Sequence, residues 1–181
     1  MEHDNLPGPF DAAFSRLGVM FFERPGEAFA GIAAALRPGG RLALVCFQGP
    51  QANPFIMVPT AAALAHLDAP PMPPPGAPGP FSLADPEAVR RLLEAAGLET
   101  VEVSPGPDEA TLGPAGELGE IARQAVEQNP AVMAALGRST PEARQAAVEA
   151  AADALSHHVR DGQVVLGAGT WVVAAEAPAT A

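Results

Sequence analysis

Two short apolar runs, joined by a helical pattern and closed by glycines, constrain this chain more than any other feature. The run Phe10-Asp11-Ala12-Ala13-Phe14-Ser15 follows Pro7-Gly8-Pro9. It fits a buried parallel strand better than an alternating surface strand. A loop through Met20 follows. Pro25-Gly26-Glu27 then opens a helix on which Phe29, Ile32, Ala33 and Leu36 recur on one face. Arg37-Pro38-Gly39-Gly40 stops it, because glycine tolerates the left-handed backbone of a helix end and Arg suits the negative end of the helix dipole. Arg41-Leu42-Ala43-Leu44-Val45-Cys46-Phe47 reads as a strand buried on both faces. Strand, helix and strand at this spacing make a right-handed crossover with parallel strands.

The rest of the chain extends this pattern. Residues 49–80 read as irregular, ending in a Pro-rich connector over 68–80. Asp85-Pro86-Glu87 is a cap, a first-turn proline and a first-turn acid, so a helix starts there. Val89, Leu92, Leu93 and Ala96 form its apolar face and Gly97 ends it. Glu99-Thr100-Val101-Glu102-Val103 alternates as a half-exposed strand. Residues 115–159 are predicted to be a helical insertion, with Thr140-Pro141-Glu142 capping one of its helices. Thr170 to Ala175 is a last strand, and Gln163 to Leu166 is expected to pair with it as a hairpin. The order predicts one α/β domain over 1–181 with a mostly parallel sheet.

Composition excludes several function classes. The chain has 10 basic and 21 acidic residues among 181, a formal charge of -11, and no Lys. Neither a general nucleic-acid binder nor a polybasic membrane binder has that balance, since both need clustered cations. Leu42 to Leu67 carries no charged residue, yet Pro50, Pro54 and Pro59 interrupt it, so it is not a continuous membrane-spanning helix. The N-terminus Met1-Glu2-His3-Asp4 lacks the basic and apolar regions of a secretory signal, and a soluble cytoplasmic protein is expected. One cysteine, Cys46, excludes a disulfide framework and reads as a buried, inert thiol. The histidines His3, His66, His157 and His158 do not make a metal site. Trp171 reads as a core residue with its N–H on a loop carbonyl.

Two segments carry a family resemblance. Phe10 to Phe22, F-D-A-A-F-S-R-L-G-V-M-F-F, resembles the fourth strand and following loop of class I S-adenosylmethionine-dependent methyltransferases. Ala35-Leu36-Arg37-Pro38-Gly39-Gly40-Arg41-Leu42 resembles the turn between the fourth helix and fifth strand of the same family. Phe81 to Pro86 and Leu92 to Gly97 look like one branch of it, so the resemblance runs from about Phe10 to the C-terminus. It implies a partial Rossmann-like methyltransferase fold, with an antiparallel C-terminal strand in an otherwise mostly parallel sheet and a helical insertion. The family's N-terminal cofactor-binding half has no counterpart here. No Gly-rich turn joins a strand to a helix, and Gly167-Ala168-Gly169 precedes a strand instead. Asp4 is the only acid near the end expected for the third strand's loop.

The resemblance implies methyl transfer from S-adenosylmethionine to a small-molecule acceptor. Cofactor-binding candidates are Ser15, Arg16, Leu17, Gly18 and Met20, because ligands of open parallel sheets sit at strand C-terminal ends. Phe47, Gln48, Asn53 and Phe55 are the substrate-lining candidates. No catalytic acid, base or nucleophile stands out, and an in-line transfer needs positioning more than proton shuttling. A sheet starting at the family's fourth strand would expose the Phe10–Ser15 edge. Three outcomes stay open: pairing with a separately encoded N-terminal half, a homodimer, or an incomplete gene product. The alternative function is a non-catalytic binding or dimerisation module derived from this fold.

Overall fold

The crossover forms where the sequence places it. In the computed structural model, which describes residues 7–68 and 77–179, β1 (Phe10–Arg16) leads through a 3-10 turn into α1 (Pro25–Ala35) and then β2 (Leu36–Phe47). β1 and β2 are parallel, with Ala12 beside Arg41 and Phe14 beside Ala43. Arg37-Pro38-Gly39-Gly40 ends the helical segment but bulges within β2, where Gly39 takes φ 71°. A side chain at that angle would clash with its own backbone, which is why glycine stands there. His3, Asp4 and residues 69–76 of the expected Pro-rich connector lie outside the described residues.

Further along come α2 (Pro54–Leu64), α3 (Pro86–Ala95), β3 (Glu99–Pro105) and β4 (Glu109–Pro114). They are followed by α4 (Leu118–Glu127), α5 (Pro130–Leu136), α6 (Pro141–Ser156), β5 (Val159–Arg160), β6 (Gln163–Gly167) and β7 (Thr170–Glu176). The expected caps are in place. The Asp85 carboxylate accepts from the Glu87 N–H at 3.0 Å, and the Thr140 hydroxyl accepts from the Ala143 N–H at 3.3 Å. Gly97, at φ 88°, closes α3. The segment read as irregular holds α2, with Pro54 at its first turn and Pro59 inside it. The first proline needs no backbone donor there, and the second forfeits one helical bond.

These elements fall into two compact units. The first comprises Met1–Gly49, Pro74–Pro107 and Gly169–Ala181, and holds a four-stranded sheet in the order β1-β2-β7-β3. Only β1 and β2 are parallel; β7 lies antiparallel to both β2 and β3. The expectation of a mostly parallel sheet is therefore corrected. The last strand enters the middle of the sheet rather than its edge, so one strand turns two ladders antiparallel. The expected hairpin of residues 163–166 with the last strand does not form either, since β6 belongs to another sheet.

Alternation decides which side of this sheet is core. Leu42, Leu44 and Cys46 on β2, with Val173 and Ala175 on β7, point to one face. There they meet Phe29 of α1 and Val89 and Leu93 of α3. Both helices cover that same face. The opposite face carries Ala12 and Phe14 of β1, Ala43 and Val45 of β2, and Val172 and Ala174 of β7. Phe14 is 89% exposed and Val172 39%. The expectation that these strands are buried on both faces is thus met on one face only, because no described helix of this unit packs on the other.

The second unit comprises Pro50–Pro73 and Asp108–Ala168. It holds an antiparallel three-stranded sheet, β4-β6-β5, and the helices α2, α4, α5 and α6. Ala63, Ala122, Ala147 and Ala151 are completely buried, and their small side chains let α2, α4 and α6 pack closely. Val126, Val132, Leu155 and Val164 fill the remaining volume. Among the described residues no helix is long and apolar enough to cross a membrane.

Candidate functional site

The loop after β1 is shaped by one left-handed residue. Leu17 has φ 60°, a conformation costly for a branched side chain, and its N–H donates to the Val45 carbonyl at 2.9 Å. The turn brings the chain back over Ser15, so a Cβ on Gly18 would sit 3.3 Å from the Ser15 hydroxyl oxygen. Strain of this kind at the carboxyl end of a parallel strand is held in place by surrounding packing. Here Val19 and Met20 supply it, both buried in the first unit's core.

Met20 is the anchor of the loop. Its Sδ accepts the Phe47 N–H at 3.3 Å. Its carbonyl accepts both the Ser82 hydroxyl at 2.6 Å and the Gly79 N–H at 3.0 Å. The segment before α3 is thereby tied to the loop after β1. Of the five cofactor candidates, Met20 turns inward and Leu17 packs half-buried on the core. Ser15 is half-buried, while Arg16 and Gly18 are exposed at the strand end.

The end of β2 is also organised. The Gln48 N–H donates to Gly169, and its side-chain amide donates to the Thr170 carbonyl at 2.9 Å. That carbonyl also accepts the Gly106 N–H, and the Thr170 hydroxyl donates to Pro107 at 2.7 Å. Gln48, Thr170 and Gly106 thus lock the end of β2 to the start of β7 and the end of β3. Sequence patterns did not flag Thr170 or Gly106, because their partners are distant in the chain. Phe47 is half-buried against the first core. The other two substrate candidates belong to the second unit. Asn53 is fully buried and starts α2, where its carbonyl accepts the Ile56 and Met57 N–H groups. Phe55 packs on the second core.

The remaining chemistry-bearing side chains are structural. Cys46 is fully buried, burial pushes its thiol up to about 11, and its Sγ lies 3.6 Å from the Leu83 carbonyl. A thiol so rarely ionised is no nucleophile. The Trp171 N–H donates to the Ala84 carbonyl at 2.9 Å, as read from the sequence. His157 caps the C-terminal end of α6. Among the described residues no group of three His, Cys, Asp or Glu could hold a metal ion.

Residues 15–18 turn at the carboxyl end of β1, where the Leu17 N–H is bonded to the Val45 carbonyl and the Gly18 carbonyl accepts the Phe21 N–H at 3.3 Å. Neither Ser15–Phe22 nor Phe47–Gly49 contains a carboxylate to take a ribose diol.

No family model matches the chain, and no curated protein matches it. Solved structures do. The YcgJ protein from Bacillus subtilis aligns over 96% of this chain and 66% of its own, with TM-score 0.50 and 15% identity. Phosphoethanolamine N-methyltransferase 2 of Haemonchus contortus, solved with phosphomonomethylethanolamine and S-adenosylhomocysteine, aligns over 96% of this chain at 16% identity and TM-score 0.45. The [4+2]-cyclase SpnF aligns over 96% of this chain and 53% of its own, at 17% identity and TM-score 0.42. The chain spans only 34% of the length of the Haemonchus protein. At these identities the likeness is one of fold: this chain shares the α/β architecture of the YcgJ protein.

Proposed function

We propose that the chain supplies the C-terminal part of an S-adenosylmethionine-dependent methyltransferase domain acting in the cytoplasm on a small-molecule acceptor. The supporting observation is the pinned, left-handed loop at the carboxyl end of β1, beside a parallel neighbour, where ligands of such sheets sit. Ser15, Arg16, Leu17, Gly18 and Met20 form the cofactor side: Ser15 and the backbone of Leu17 and Gly18 by contact, Met20 by holding the loop. Phe47 and Gln48 form the acceptor side within the first unit. S-adenosylmethionine would supply an electrophilic methyl group, and the chain's task is to orient it and exclude water. The Gly-rich turn and the ribose-binding acid would come from an N-terminal half encoded separately or upstream.

Calorimetric titration with S-adenosylmethionine and S-adenosylhomocysteine tests this reading. Micromolar binding that is lost in Gly18→Val supports it. A folded chain that binds neither, alone or with an added N-terminal half of the family, refutes it. A second reading, a non-catalytic binding or dimerisation module, is favoured by the uncovered apolar face of the first unit's sheet.

A further inference from the structure

We propose that two copies of this chain pack face to face through the helix-free side of the sheet β1-β2-β7-β3. This deepens the dimerisation reading and stands apart from cofactor binding. An antiparallel sheet with one solvated face ordinarily alternates apolar and polar residues. Here the uncovered face presents Ala12, Phe14, Ala43, Val45, Val172 and Ala174. Of these, only Val45 is not classed as exposed. A contiguous apolar patch of this kind marks an interaction surface.

The face is complementary to itself. Register places Ala43 beside Ala174, Val45 beside Val172 and Arg41 beside Glu176, so β2 and β7 mirror each other across the sheet's midline. Cations lie on one side of that midline, at Arg16 and Arg41. Anions lie on the other, at Glu176 and Glu102, the latter paired in register with Ala174. A two-fold axis along the strands, midway between β2 and β7, lays β2 of one copy over β7 of the second. Ala43 and Val45 then meet Ala174 and Val172. Arg41 comes over Glu176 of the second copy, joining the Arg41–Glu176 pair each copy already makes at 3.2 Å. Phe14, the most exposed large apolar side chain, lies over the β3 side of the second copy, at the level of Ala174 and Glu102. Arg16 comes over Ser104 and Glu102 over Phe14, so the charge complementarity of this pairing rests on Arg41 and Glu176.

Four strands of about seven residues span roughly 19 by 23 Å, so about 440 Å² per copy in projection. Two copies together contribute about 880 Å², below the roughly 1,000 Å² of a stable specific interface, so the dimer is weak rather than obligate.

Sedimentation equilibrium of the full chain, up to about 200 µM, tests the proposal. A monomer–dimer equilibrium is expected. Val172→Glu, on an exposed position, should weaken it about tenfold or more while leaving the far-UV circular dichroism unchanged. Arg41→Glu should weaken it, and Arg41→Glu combined with Glu176→Arg should restore it. A folded chain that stays monomeric throughout overturns the proposal, as does a dimer unaffected by Val172→Glu, which would use the β1 edge or another surface. If an added N-terminal strand–helix segment binds the chain one to one and Val172→Glu blocks that binding with no dimer ever forming, the face belongs to that segment and the proposal fails.

Discussion

Between about pH 8.5 and pH 11 the chain should lose stability through one atom, the Cys46 sulfur. It sits in the middle of β2, completely buried, and burial pushes its thiol up to about 11. In the unfolded chain a thiol titrates near about 8.5. Below that pH both states hold the proton and Cys46 contributes no slope. Above it the unfolded chain releases the proton while the folded one keeps it, so unfolding gains about 1.4 kcal/mol per pH unit. Once the pH passes about 11 the folded thiol ionises too and the slope vanishes. The integrated loss is about 3 kcal/mol, a large share of the roughly 5–15 kcal/mol that holds a domain folded.

Composition makes this measurable. The chain contains no Lys and no Tyr, so no other side chain ordinarily titrates in that window. Urea unfolding read by the fluorescence of Trp171, the single tryptophan and the register partner of Cys46, reports on the same sheet. At neutral pH, Cys46→Ala should cost on the order of 1 kcal/mol for the small void. From pH 8.5 to 11 it should show almost no further loss. An equal decline in both proteins would refute the reasoning, for the alkaline loss would then have another source. So would a flat profile in the unsubstituted chain, since the thiol would have to be reached by water.

Three further outcomes follow from the packing. Asp85→Ala should destabilise the first unit by about 1 kcal/mol, read as a lower urea midpoint with an unchanged slope, because the Glu87 N–H loses its cap. Leu155→Ala should cost about 2–5 kcal/mol, with amide exchange accelerated mainly in α2, α4 and α6 and much less in β2 and β7. In Gly106→Ala the new Cβ would lie 2.6 Å from the Thr170 hydroxyl oxygen and 2.9 Å from a Val172 methyl. That clash should cost about 1–3 kcal/mol and shift the amide resonances of Gln48 and Thr170.

Local chemistry was legible in the sequence, and long-range pairing was not. Asp85-Pro86-Glu87 and Thr140-Pro141 announced their helices because capping is settled within four residues. The Trp171 N–H found its carbonyl because a half-buried indole still seeks an acceptor. The run 41–47 carried the composition of a strand covered twice, and the structure covers it once; composition records what a strand can bury, not what is there to bury it. α2 was missed because Pro54 and Pro59 break helices on average, while at a first turn proline is favoured. β4 was missed because Glu109-Ala110-Thr111-Leu112-Gly113-Pro114 has too few apolar residues to show a period. Of the candidate site, the position of the loop after β1 was readable. The inward turn of Met20 was not, because it depends on Phe47, Gly79 and Ser82, which are distant in sequence.

The placement of β7 has a consequence for how the protein comes into being. The strand formed by residues 170–176 is made after β1, β2 and β3, yet it lies between β2 and β3. During synthesis β1 and β2 can pair early, but β3 has no neighbour in its sheet until β7 leaves the ribosome. The same delay applies to β6, which joins β4 to β5. Until then the nascent chain holds one parallel pair, an orphan strand and an unfinished helical unit, with strand edges open to any other strand. Its yield in a cell should depend on translation speed and chaperone supply while residues 106–176 are being made more than on the stability of the finished fold.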